Sequence, residues 1–375
     1  MKKPIALDQL SVGQSVPWNC YSEEGALLLR RGQVVESQRA LVRLIEDGLF
    51  LQGDDSACVE EALIEEKPSA LQYLFDARRI LSSLYSSSLD GVVDFADRMD
   101  KIILAVQNSC DAQVLVSLST IALVHDASYA IKHPIDVAIL ANVLSKALSL
   151  DSGASRTIVA AALTMNIGMV EVHDKIQTIP GPLNEKLLAL VRAHPTASEQ
   201  RLQRLGTTDA MWLTLVRQHH EHLDGSGYPA RLSDGQIEAG AQIVGLADKY
   251  CAMLARRADR PALKPPTAIR ELYIKHGQTV DTTVAGTLIR VLGLYPVGTL
   301  VRLATAEIGV VTGPGEGPDT PEVHVIMARS GASLEVSSHR KTHLSKFAVE
   351  EVISIDKLNV PVRMASLWGK DAKVR

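Results

Sequence analysis

A chain of 375 residues, 46% of them apolar and only 4% aromatic, is long enough for two or three domains with full cores. The formal net charge of −4 and the lack of any long basic run exclude a protein organised around a nucleic-acid duplex. Four widely spaced cysteines (Cys20, Cys58, Cys110, Cys251) exclude a disulfide framework or zinc knuckle and suit a reducing cytoplasm, while the absence of an apolar signal core or a run of eighteen apolar residues predicts no membrane span.

Residues 1–55 read as a small α+β module. Short strands are expected over 11–16 and 25–32, with a turn at Ser22-Glu23-Glu24-Gly25. Ser37 is placed to cap a helix through Glu46, with Leu41, Leu44 and Ile45 at helical spacing. Residues 56–114 begin with an acidic, polar linker. A helix follows from Pro68, with Leu71, Leu74, Ala77, Ile80 and Leu81 on one stripe, then helical segments near 89–106 and 112–124. Helical patterning dominates 115–294, which reads as one all-α domain. From Tyr295 the texture changes to β-rich runs at 297–303, 307–311 and 323–327, punctuated by Gly313-Pro314-Gly315-Glu316-Gly317-Pro318. Residues 295–375 are expected as a β-rich C-terminal appendage, its antiparallel strands within 295–360. The fold class is therefore mainly α, a helical bundle flanked by a small α+β module and a C-terminal antiparallel sheet.

The chemistry concentrates at His219-His220-Glu221-His222-Leu223-Asp224-Gly225-Ser226-Gly227-Tyr228-Pro229. A helix end needs one glycine or asparagine, not adjacent imidazoles. Neutral imidazole is the commonest side-chain metal ligand, and carboxylates complete such sets. Further candidate ligands stand in helical segments: His133, His194 and Asp248. Each alone is more often a hydrogen-bonded core or surface residue. With His219 and His220 they form a candidate metal set.

The run His-His-Glu-x-x-Asp-Gly-x-Gly-Tyr-Pro resembles the signature of the HD-GYP family, a branch of the HD-domain metal-dependent phosphohydrolases. The resemblance spans about 125–263. Asp126-Ala127-Ser128-Tyr129 leading to His133 resembles the segment before the family's first histidine ligand. His194-Pro195 resembles its mid-domain histidine, and Leu246-Ala247-Asp248-Lys249-Tyr250 the segment with its last aspartate. Arg257-Ala258-Asp259-Arg260 resembles, loosely, an Arg-Pro-Tyr-Arg run. The flanking regions also look like those of some family members. The resemblance implies an HD-type bundle holding two or three metals, often iron or manganese, and hydrolysis of cyclic di-GMP. Metals neutralise an anionic phosphodiester and activate the attacking water.

The sequence departs from that family at its core. The family's His-Asp dyad stands within His-Asp-x-Gly-Lys; here the equivalent positions carry Met165, Asn166 and Met169. A thioether suits hard cations poorly, and a neutral carboxamide cannot replace a bridging carboxylate. His125-Asp126 and His173-Asp174 are the chain's only His-Asp pairs; both read as coincidental, the second in an expected loop. Five ligand candidates, His133, His194, His219, His220 and Asp248, carry one negative charge among them. One divalent ion (iron or manganese) or none is expected. Gln242 replaces an expected arginine. Arg257 and Arg260 are candidate nucleotide phosphate contacts, or else a solvated basic patch.

The expectation is a degenerate HD-GYP protein in cyclic di-GMP signalling. It would not hydrolyse the nucleotide, and would act as a sensor or as an interaction module. The interaction loop is Asp224, Gly225, Gly227, Tyr228 and Pro229, with cyclic di-GMP and a GGDEF-domain protein as partners. One alternative is an active phosphodiesterase with a reduced or rewired metal site, using His173 or Asp174 as a substitute ligand. The other is a nucleotide-independent scaffold.

Overall fold

In the computed structural model the chain divides into Met1–Lys67 and Pro68–Arg375. The structure describes residues 2–4, 16, 19–22, 27–30, 32–33, 50–52, 67–86, 89, 92–276, 279–358 and 362–374. In the first unit, β1 (Lys2–Pro4), β2 (Cys20–Tyr21), β3 (Leu27–Leu29) and β4 (Phe50–Gln52) form an antiparallel sheet in the order β1-β4-β2-β3. The strand expected over 25–32 is present as β3. Apart from Val16 and Ser22, the strand over 11–16, the turn and the 37–46 helix lie outside the described residues. The unit boundary falls at Lys67 rather than at 55.

The second unit opens with α1 (Ala70–Ser86) and α2 (Phe95–Leu123). The two helical segments expected near 89–106 and 112–124 form α2, which is broken at Gln113 by an extended backbone (φ −161°, ψ 97°). Then come α3 (Tyr129–Ala147), α4 (Ser152–Thr164), a 3-10 turn (Ile167–Met169), α5 (Val170–Gln177), α6 (Glu185–Arg204), α7 (Ala210–Gln218), α8 (Ala239–Leu254), α9 (Pro265–His276) and α10 (Thr282–Leu292).

Side-chain caps set several helix starts, because an accepting oxygen satisfies an otherwise unpaired N–H. Asp151 accepts from Ala154 N (2.9 Å), Asn184 from Leu187 N (2.9 Å) and Asp209 from Trp212 N (3.0 Å). Helix α3 is buried along most of its length, with Ile135, Ile139, Leu140 and Leu144 fully buried, so it runs through the middle of the bundle. It packs against α2, α4 and α8. Among the described helices, α2 alone is long and apolar enough to cross a membrane. More than half of its apolar window is buried, and Phe95, Met99, Ile102 and Val106 join the bundle core. These are the marks of a core helix.

The expected C-terminal antiparallel sheet is present. It contains β5 (Leu300–Leu303), β6 (Ile308–Gly313), β7 (Glu322–Met327), β8 (Ser333–Lys341) and β9 (Val349–Ile353), ordered β8-β7-β6-β5-β9. Strands β8 and β9 were not legible, because most of their side chains lack a buried alternation. A short helix α11 (Met364–Trp368) follows. Leu300, Val310, Ile353, Met364 and Leu367 share one apolar cluster with Ala70, Val116 and Leu123 of α1 and α2. The sheet is thus fastened to the bundle, and Pro68–Arg375 forms one unit.

Candidate metal centre

Two backbone carbonyls set the protonation of two histidines. Pro195 has no N–H, so the Val191 carbonyl lacks its usual helical partner four residues on. His194 Nδ1 donates to that carbonyl at 2.5 Å. Helix α7 ends at Gln218, which leaves its last carbonyls unpaired. There His219 Nδ1 donates to Val216 O at 2.6 Å. A carbonyl can only accept, so each ring carries its proton on Nδ1 and a lone pair on Nε2.

Those two Nε2 atoms face each other at 3.1 Å. Burial, reinforced by His219, pushes His194 down to about 3, and burial also lowers His219. Both rings are therefore neutral near pH 7, and two lone pairs oppose each other. A cation between them removes the conflict. Metal–nitrogen bonds of about 2.0–2.1 Å put neighbouring nitrogens roughly 3–3.4 Å apart in octahedral or tetrahedral geometry. One ligand atom from each of His194, His219 and His220 lies within 4.8 Å of the others. The donor set therefore fits a borderline divalent ion.

Asp248 arrives on α8. A Cβ on Gly245 would lie 2.2 Å from the His219 carbonyl oxygen, so only glycine lets α8 approach this closely. One turn later, the two oxygens of Asp248 point to different histidines. Oδ1 lies 2.7 Å from His133 Nε2, and Oδ2 lies 4.0 Å from His220 Nε2. Burial opposes its ionisation, but the His133 hydrogen bond and the surrounding imidazoles outweigh that and hold the carboxyl well below the usual carboxylate range. His133 stacks on Tyr129, one turn earlier on α3, with ring centres 4.7 Å apart. The five expected ligand candidates are thus gathered from α3, α6, the end of α7, and α8.

Met165 and Asn166 stand at the end of α4, with Met169 closing the 3-10 turn; all three are buried. Ser198 pins this segment to α6. Its hydroxyl donates to Met165 O (2.7 Å) and accepts from Gly168 N (2.9 Å). Ser198 is one helical turn from His194, so the segment of Met165, Asn166 and Met169 lies along the helix that carries a candidate ligand.

The reading of His173-Asp174 as a loop is corrected, since both lie on α5. Asp174 Oδ1 accepts from Ala130 N (2.8 Å) at the start of α3, so Asp174 acts as a staple. His173 is only 5% exposed and stands edge-on to Tyr129 and His133, at 4.8 and 5.9 Å between ring centres. Burial, then His133, pushes it down to about 3. Sequence order gave no signal for this placement. His125 and Asp126 are spent elsewhere, on Ala122 O (3.2 Å) and on Arg78 (3.1 Å).

The loop after the histidines is tightly built. A Cβ on Gly227 would fall 2.4 Å from His222 N and 2.6 Å from His220 O, which only glycine avoids. Gly225 has φ +73°, a left-handed conformation. Glu221 is buried, and its carboxylate accepts from Ala230 N (2.6 Å) and Leu232 N (2.9 Å), holding the chain beyond Pro229. The Tyr228 ring lies 4.7 Å from that of His220. A hydrogen-bonded chain runs from Lys249 Nζ to His222 Nε2 (2.9 Å), from His222 Nδ1 to Ser226 Oγ (2.9 Å), and on to Asp224 Oδ1 (2.6 Å).

The candidate phosphate contacts have partners within the chain. Arg257 makes a two-pronged pair with Asp259 (2.9 and 3.2 Å). Arg260 donates to Ala252 O (2.7 Å) and Met253 O (3.2 Å), closing the C-terminus of α8. Gln242 Oε1 accepts from Asp281 N (3.1 Å) at the start of α10.

Residues 115–284 match the family described as the HD domain. A cyclic di-GMP phosphodiesterase of Pseudomonas aeruginosa is 30% identical over 272 residues, covering 71% of this chain and 64% of the relative. A cyclic di-GMP phosphodiesterase of Borreliella burgdorferi is 26% identical over 202 residues, 54% of this chain and 53% of the relative. A 3′3′-cGAMP-specific phosphodiesterase of Vibrio cholerae is 29% identical over 171 residues, 45% of this chain and 36% of the relative. The matched region thus spans less than two thirds of each relative.

Proposed function

We propose that this protein, whose residues 115–284 match the HD domain family, is of the HD-GYP form, and that it binds a cyclic dinucleotide of the cyclic di-GMP type over a cation site and does not hydrolyse it. The observation that carries this reading is the 3.1 Å opposition of His194 Nε2 and His219 Nε2, both left as lone-pair donors by backbone carbonyls. His194, His219 and His220 would hold the cation. When bound, it supplies positive charge that attracts and neutralises a phosphodiester oxygen. Relatives named as cyclic di-GMP phosphodiesterases support the choice of ligand.

Loss of hydrolysis follows from the carboxylates. Asp248 is shared with His133, and Glu221 is committed to two backbone amides. Met165 and Asn166 contribute no charge where the family carries a carboxylate. Tyr228 packs on His220, so the Gly-Tyr-Pro turn touches the same histidines that would hold the cation. In this reading the exposed Asp224 and Ser226 present the loop to a protein partner, of which a GGDEF-domain protein is one.

Metal content by mass spectrometry on anaerobically purified protein, with calorimetry for cyclic di-GMP and a turnover assay, tests the reading. Stoichiometric metal, measurable binding heat and no product are expected. Binding that persists unchanged in His194→Ala would remove the cation from the account. Product formation would favour a hydrolase with a rewired site, a second reading that the buried His173 favours. Pull-downs with wild type and Tyr228→Ala test the loop; identical partner sets would exclude it as the contact.

A further inference from the structure

We propose that the seam between the helical bundle and the C-terminal sheet binds an amphiphilic monocarboxylate, with its carboxylate on Arg256 and its apolar tail in the hollow between the two layers. None of the five candidate metal ligands lines this hollow, so the inference stands apart from the cation site.

The hollow has a volume of about 280 Å³. The bundle lines it with Ala122 of α2, Leu254 at the end of α8 and Ala262 in the turn before α9. The sheet lines it with Leu300 of β5 and Ile353 of β9. Two contacts set the spacing of these layers. Gly298 (φ +91°) runs against α2, where a Cβ on it would lie 3.0 Å from Ser119 O. Lys264 Nζ donates to Val352 O, which ties the start of α9 to β9. With the spacing fixed, the short alanine side chains leave the gap unfilled. A largely apolar space walled by rigid elements favours the uptake of apolar atoms. An apolar cavity of about 150 Å³ accommodates benzene, and by that scale this hollow suits a tail of roughly ten carbons.

Charge at the hollow selects the headgroup. The Arg256 side chain is 77% exposed and lies 3.6 Å from Asp356, which also lines the hollow. An exposed ion pair this loose contributes little, and the guanidinium fork can grip an incoming carboxylate with two hydrogen bonds. Lys264, a second lining cation, is engaged with Val352 O and lies 3.9 Å from Glu351. His125 adds no charge near pH 7, since burial lowers it from its ordinary value. One accessible cation beside Asp356 suits a singly charged headgroup, whereas a phosphate dianion would meet both nearby acids. The combination points to a medium-chain monocarboxylate.

Calorimetry of the full chain with decanoate, kept below its micelle-forming concentration, tests the proposal, with decanol as the uncharged probe. Decanoate should bind at about one equivalent, and decanol about tenfold more weakly. Arg256→Gln, at an exposed position outside the histidine cluster, should weaken decanoate about tenfold and leave decanol unchanged. Ala262→Phe, which fills the hollow, should remove binding of both. No heat with decanoate, uptake of many equivalents, or equal affinity for the two probes would overturn the proposal. So would decanoate affinity that Arg256→Gln leaves unchanged, or binding that survives in folded Ala262→Phe. Should Ala262→Phe fail to fold, the contrast between the two probes in wild type and in Arg256→Gln decides.

Discussion

The carbonyl oxygen of His219 lies 2.2 Å from where a Cβ on Gly245 would stand, so the end of α7 and the middle of α8 touch through bare backbone. That contact sets the depth at which Asp248 enters the histidine cluster. Gly245→Ala must push the two elements apart, because the obstacle is backbone and not a flexible side chain. Overpacking of this kind typically costs about 1–3 kcal/mol. Denaturant unfolding should show that loss, and cation uptake should weaken in parallel. Unchanged stability and uptake would mean that α8 is not held by this contact.

Pro195→Ala separates helix stability from ligand orientation. Alanine favours a helix interior by about 3 kcal/mol over proline in model hosts, and its N–H would compete with His194 Nδ1 for the Val191 carbonyl. Stability should hold or rise, while cation affinity falls by about 10–100-fold, the usual effect of losing a group that orients a ligand. Titration of Mn(II) into both proteins measures this. Equal affinities would show that the carbonyl does not set the tautomer.

Acid should destabilise the metal-free protein from near pH 6.5 downwards. Burial pushes His173 and His194 down to about 3 in the folded chain, against 6.5 when unfolded. The unfolded chain therefore binds protons first, and stability present above pH 6.5 is lost as pH falls towards 3. Each such histidine adds a slope of up to about 1.4 kcal/mol per pH unit. Denaturation series between pH 7 and pH 4 should give a shallower slope for His194→Gln than for wild type. Parallel slopes would contradict a neutral buried His194.

Glu221→Gln removes the charge that holds Ala230 N and Leu232 N. Hydrogen bonds to charged groups are worth about 1.5–3 kcal/mol, against about 1 for neutral ones. Amide exchange at 230 and 232 should quicken, with little change in α3. Protection equal to wild type would show that the neutral carboxamide suffices.

The helical bundle and the match to the HD domain over 115–284 were legible in the chain because their signals are local. Helical periodicity, the capping Asp151, Asn184 and Asp209, and the dense run at 219–229 each act within a few residues. Strands β8 and β9 were not, since β8 is an edge strand with no buried residue and β9 has only Ile353 fully buried, too little to impose alternation. Cys20–Tyr21 is too short to carry a period.

By itself, then, the sequence determined which donors exist: five ligand candidates with a single carboxylate, and Met165 and Asn166 where the family resemblance leads one to expect a dyad. Only the tertiary structure decided what each donor faces. His173 read as coincidence because it follows the segment at 165–169 in sequence. It reaches the site because α5 is tied at one end to α3 and at the other to the turn after α8. The histidines at 219 and 220 likewise looked like ligands by composition. Their orientation appeared only in the structure, where the Val191 and Val216 carbonyls direct the Nε2 atoms of His194 and His219 towards one another. Those directions depend on where helices end and cross, and no local spacing encodes that.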